Sequence, residues 1–239
     1  MKTRLPLTDG PGTEVAAATP DPAHVDTIQP MTAAPRRSVF LAILVAAGIA
    51  LAVNVVRFHG EKSHWAPAIF NTEFGGGWSP LSITWLVLVF GFWFGRTMAL
   101  NGHRPASIGR ALLLHLVGAG LLIGVYAAAF NFVGEWRTRG FLFSVGAVAC
   151  GTLAFIAWKR AYLVNLAAAL LARIPVIVIQ YLAIEGGMDV HFAKAWPGSP
   201  PEHAMFLLTL SQLVMCPFGF SVLAGGFFAI LGAATVRRS

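Results

Sequence analysis

The amino-acid sequence predicts an all-α fold, a polytopic integral membrane protein built as a bundle of six transmembrane helices. Three observations predict it. Six long apolar stretches divide the chain after residue 37. The acidic residues beyond that point, Glu61, Glu73, Glu135, Glu185, Asp189 and Glu202, all fall between stretches of one parity. The breaks of the other parity and the C-terminus carry only basic side chains: Arg96, Arg104, Arg110, Lys159, Arg160, Arg237 and Arg238. Segregated charge of this kind sets an orientation, with the basic side in the cytoplasm.

Composition agrees. Apolar residues make up 56% of the 239 positions and charged residues 11%, against about a quarter charged in soluble domains. The net charge of +7 does not signal nucleic-acid binding, because the basic residues sit in ones, twos and threes at the ends of apolar runs. Cys150 and Cys216 lie inside apolar stretches and read as small hydrophobes, with no disulfide framework and no metal signature.

Residues 1–37 form a separate segment, rich in Pro, Thr, Ala, Gly and Asp and without an apolar period. Such a segment buries too little to offset its ordering entropy, so a disordered cytoplasmic tail is expected. Met31, just ahead of Arg36-Arg37, is an alternative start to Met1.

The membrane domain spans 38–239. Its first helix is expected over about 38–56; the Ala50-Leu51-Ala52 cleavage-like pattern lies inside a run that continues past it, which favours an uncleaved anchor. The second covers about 80–100 and ends around Arg96. The third covers 108–131, the fourth 141–158 and the fifth 161–184. The short break at Lys159-Arg160 makes the fourth and fifth a tight antiparallel hairpin. The sixth, about 205–235, is some 30 residues or ~45 Å as a helix, longer than a ~30 Å hydrocarbon core. It must tilt, protrude or bend, and Pro217 with Gly219 supplies a bend. Trp65, Trp78, Trp136 and Trp196 fall where an outer aromatic belt is expected. Both termini are therefore cytoplasmic, and short loops with an Ala/Gly/Arg-rich composition suit a bacterial inner membrane.

Small-residue rows, Gly91-xxx-Gly95, Gly120-xxx-Gly124, Ala147-xxx-Gly151 and Ser221, Gly225, Ala229, Ala233, predict close helix–helix approach. Besides the lipid bilayer, the partners they suggest are further copies of the chain or other membrane proteins. Phe90-Gly91-Phe92 recurs as Phe218-Gly219-Phe220, which is too short an echo to carry a duplication.

Arg173 is the sharpest chemical signal. It lies near the middle of the fifth stretch, where a charge is costly unless it faces protein, water or a headgroup. Tyr162, Arg173 and Gln180 fall within ~40° on a helical wheel, a polar stripe on an apolar helix. Pro175 donates no hydrogen bond to the Leu171 carbonyl, leaving it open. The expectation is that Arg173 faces the bundle interior with at least two hydrogen bonds, Gln212 being a candidate partner. His115 inside the third stretch reads as a packing histidine, since haem needs a second histidine at similar depth. In the outer loops, His59, His64, Asp189, His191 and His203 are weak metal candidates, because none of their spacings matches a known ligand signature. No tight metal site and no cofactor are expected.

Phosphate-cradling and nucleophile-elbow motifs are missing: Gly75-Gly76-Gly77 lacks the following Lys-Ser/Thr, and there is no Gly-x-Ser-x-Gly. Three functional classes remain. The sequence favours a structural, assembly or accessory membrane component. A small transporter or channel, with Arg173 and Gln180 lining a path, is the alternative. A membrane-embedded enzyme using outer His and carboxylate groups is the third.

Overall fold

The computed structural model describes residues 38–72, 83–194 and 201–237. The expected N-terminal tail, the first residues of the second stretch from Pro80, and Trp78, Trp196 and Arg238 lie outside them. The described residues are helical, with no strand. Four helices are long and apolar enough to cross a membrane, Val39–Lys62, Ile108–Phe132, Trp136–Glu185 and Ala204–Ala234; a shorter apolar helix covers Thr84–Leu100.

Helix α1, Val39–Lys62, starts where Ser38 accepts a hydrogen bond from the Leu41 N–H at 3.1 Å. It continues six residues beyond the expected end at Val56. Its close has the hydrogen bonds of a left-handed cap: His64 at φ 51° donates its N–H to Glu61, and Trp65 donates to Gly60 at 2.8 Å. Helix α2 is Ile83–Leu100. Helix α3, Ile108–Phe132, is capped by Ser107, which accepts from the Arg110 N–H. Helix α4, Trp136–Glu185, is capped by Glu135, whose two oxygens accept from the N–H groups of Arg137 and Thr138. A carboxylate at that position also meets the positive end of the helix dipole.

The fourth and fifth expected stretches form one 50-residue element broken at a single residue, Trp158, whose backbone is extended (φ −159°, ψ 86°). The chain doubles back there. Before the break, α4 runs antiparallel to α3: Phe143 packs near Ala129, Gly146 against Val125, and Ala147 near Leu122. After it, α4 runs alongside α1. Ala161, Val164 and Ala168 cluster with Ala42 and Ala46, whereas Val176, Ile179 and Ala183 cluster with Phe58. Phe155 and Tyr162 stack edge to face at 5.4 Å across the reversal, although seven residues of continuous helix would separate them by ~10 Å. No Pro or Gly marks the break. Trp158 is buried among Phe94, Met98, Ala111 and Ala229, and the exposed Lys159 and Arg160 follow it.

Helix α5, Ala204–Leu210, runs through an 11-residue π-helical segment, Ser211–Ser221, into α6, Val222–Ala234. The widened ladder is visible where the Val222 N–H reaches the Pro217 carbonyl, five residues back. Pro217 brings no N–H of its own. Where a simple bend was expected, the helix changes pitch.

Glycine lets α2 and α6 touch backbone to backbone. A Cβ at Gly91 would lie 2.8 Å from Gly225 Cα, and one at Gly95 would lie 2.5 Å from Ala229 Cα. Gly151 opposes the Phe218 carbonyl in the same manner. Three of the four small-residue rows are thus used inside the fold. The fourth is not: nothing lies within 4 Å of a Cβ at Gly120 or Gly124, and both face outward.

Candidate functional site

Arg173 lies 15 positions past Trp158 and 12 before Glu185, about 22 and 18 Å at 1.5 Å per residue. It is 8% exposed. Its Nη1 donates to Gln212 Oε1 at 2.6 Å, joining α4 to the π-helical segment. The partner is the expected one, but it supplies one hydrogen bond among the described residues where at least two were expected. Arg173 also lines a cavity of about 40 Å³ between α1, α2, α4 and the π-helical segment. Ala46, Ala50, Phe90, Phe94, Asn165 and Ser221 contribute to its walls.

Ser221 is 2% exposed and its Oγ has no hydrogen-bond partner. Asn165 gives its Nδ2 to the Ala161 carbonyl at 2.9 Å, and its Oδ1 rests over Gly225. A buried hydroxyl without a partner costs about 1–3 kcal/mol unless something in the cavity takes its place. A 40 Å³ space has room for about three waters.

The remaining stripe residues divide. Gln180 is buried on the same face of α4, two turns further on, and its Oε1 also lacks a partner. Tyr162 does not join the site. It packs against the cluster of Leu122, Ala147 and Cys150, because eleven residues separate it from Arg173, ~16 Å along the axis despite the shared wheel angle.

The facing side of α1 holds polar groups that a reading of the sequence by apolar run length assigns to a loop. Its buried positions are Ala42, Ala46, Ala50, Asn54, Arg57, Gly60 and Glu61. The spacing of four that starts in small residues ends in polar ones. Asn54 turns its Nδ2 back onto the Ala50 carbonyl at 2.8 Å. Glu61, with 0% exposure, accepts from Arg57 Nε at 2.7 Å, from His191 Nδ1 at 2.7 Å and from the His191 backbone N–H at 2.9 Å. The segment Val190–Ala193 is thereby pinned over the end of α1, with Phe192 edge-on to Phe58. Buried polar residues therefore follow α1 and the second half of α4 from the cavity to the Glu61 cluster.

Burial holds the His191 imidazole below its ordinary pKa; the hydrogen bond to Glu61 opposes this and the Arg57 charge adds to it. The donating Nδ1 fixes the tautomer, so the lone pair of the neutral ring is on Nε2.

The other metal candidates do not converge on His191. Asp189 binds Lys194 and is held below the usual carboxylate range by it. His59 is exposed beside Phe58, His64 supplies the helix cap, and His203 leans on Trp136 at 4.7 Å. Among the described residues no three His, Cys, Asp or Glu side chains are grouped to hold a metal ion.

His115 donates from Nδ1 to the Ala111 carbonyl at 2.8 Å, and its Nε2 lies over Gly226, where a side chain would collide with it. The same ring borders an apolar groove of about 290 Å³ between α3 and α6 that contains Phe220, Phe227 and Phe228. No known protein family matches this chain, and no curated protein or solved structure resembles it.

Proposed function

We propose that the chain is a six-span protein of a bacterial inner membrane, with both termini in the cytoplasm, and that it is a small transporter or channel whose solute passes Arg173. The six crossings are α1, α2, α3, the two halves of α4, and α5 with α6; the Trp158 end carries Arg96, Arg104, Arg110, Lys159 and Arg160 and is the cytoplasmic end.

The observation that carries the transport reading is the cavity at mid-depth of α4, where a buried guanidinium and an unpartnered hydroxyl meet. An arginine in hydrocarbon is costly, and such residues face the bundle interior or a water-filled cavity and mark substrate or ion pathways. Asn54, Gln180 and the Glu61 cluster extend the polar column toward the outer end. The accessory reading draws on one feature, the open Gly120-xxx-Gly124 face, which suits a second membrane helix. A catalytic reading lacks converging outer groups among the described residues.

Single-cysteine labelling tests the proposal in a background with Cys150 and Cys216 replaced. Arg104→Cys is expected to react only from the cytoplasm and Glu185→Cys only from outside. Ser221→Cys is expected to react with a small charged thiol reagent in intact membranes. Labelling of position 104 from outside, or a Ser221→Cys inert from both sides, would falsify the topology or the path respectively.

A further inference from the structure

We infer that the Arg173 cavity is a binding site for a halide-sized inorganic monoanion, an assignment that rests on reading the cavity as a solute site. Charge comes first. The buried Arg, Lys, Asp and Glu side chains among the described residues are Arg57, Glu61 and Arg173. Arg57 and Glu61 pair at 2.7 Å and cancel. Arg173 is left with a neutral partner, Gln212, so the interior carries one positive charge at mid-depth. Such a charge repels cations and is stabilised by an anion in the same low-dielectric space.

Hydrogen-bonding groups point the same way. Arg173 offers the N–H groups not used by Gln212, Ser221 offers an O–H with no other partner, and no carboxylate lines the cavity. The one side-chain amide on its wall, Asn165, has its Oδ1 turned onto Gly225 and its nitrogen committed to Ala161. The rest of the lining is Ala, Leu, Val and Phe, with no anionic group to neutralise a cation beside Arg173.

Size then narrows the class. A 40 Å³ space holds about three waters, which a halide and one or two waters fill. A dianion would exceed the single compensating charge of Arg173.

The test uses the full chain in lipid nanodiscs, with sodium bromide as probe and sodium gluconate as control, read by calorimetry and by chloride NMR line broadening. Saturable bromide binding, competed by chloride and absent with gluconate, is the expected result. Ser221→Ala should weaken it roughly five- to ten-fold, the loss of one hydrogen bond. Arg173→Gln should abolish it, while Arg173→Lys, eluting as the same monodisperse species, should retain a weaker site because a charge remains. A folded wild-type protein with no saturable halide binding overturns the inference, as does an Arg173→Gln that binds like wild type. If bromide fails to bind while Ser221→Cys still labels, the anion assignment falls and the solute path stands. If bromide binds and Ser221→Cys is inert, the anion site stands and the path falls.

Discussion

Replacing Glu61 by leucine removes the one acceptor shared by Arg57 and His191. The wild-type carboxylate has 0% exposure and takes three hydrogen bonds, at 2.7 Å from Arg57 and at 2.7 and 2.9 Å from His191. Breaking a buried ion pair from one side costs about 3–5 kcal/mol, mostly because the remaining charge loses its compensation. Removing both charges is much cheaper, since a buried pair replaced by apolar groups of similar volume is often neutral. A double-mutant cycle with Arg57→Met and Glu61→Leu is therefore expected to be strongly non-additive. The double variant should regain part of the single-variant loss, falling short of wild type by about 1–3 kcal/mol because His191 still has donors without an acceptor. Denaturant titration of purified protein in detergent micelles, followed by tryptophan fluorescence, reads all four corners. If Glu61→Leu costs under ~1 kcal/mol, the cluster behaves as a solvated surface pair and the burial argument is wrong.

Two further outcomes follow from the same physics. His191 is held below its ordinary pKa by burial, so the unfolded chain binds the extra proton first as pH falls. Stability is then full above about pH 6.5 and declines below it, through the folded-state value. The unfolding midpoint between pH 8 and 5 should show this decline, and His191→Gln should flatten it; an unchanged slope would remove His191 from the account. At the α2–α6 contact, Gly95→Val should destabilise by about 1–3 kcal/mol because a side chain there meets the Ala229 backbone, whereas Gly120→Val should stay within about 0.5 kcal/mol. Equal effects in thermal unfolding would mean that the close approach at Gly95 is not real.

Helix α3 was readable to within one residue, since Ser107 caps its start and an uninterrupted apolar run fills it. The reversal of α4 was readable from charge alone, through Lys159-Arg160, because an interface of basic side chains is a property of sequence order. Its compression into one extended residue at Trp158 was not, since that depends on packing against α1, α2, α3 and α6. Arg173 and Gln212 were readable as a pair because few polar groups occupy the apolar stretches. Arg57 and Glu61 were not. Measured by apolar run length, α1 ends at its first charge, and the partner that buries Glu61 lies 130 positions away. The one signal available was the helical spacing from Ala42 through Asn54, which steps by three to Arg57 and by four to Glu61 on the same face.

The change of pitch over Ser211–Ser221 has a geometric effect on which side chains share a side of the bundle. In an α-helix nine residues advance by about 900°, so positions 212 and 221 would point in opposite directions. A ladder closed five residues back winds at roughly 4.4 residues per turn, and the same nine residues then return to within about 20° of the starting direction. Gln212, on the Arg173 guanidinium, and Ser221, in the wall of its cavity, occupy one azimuth for this reason. Met215 and Gly219 turn to the other side, toward Phe143 and Ala147. The pitch of the main chain is thus what brings two polar groups nine positions apart onto one arginine.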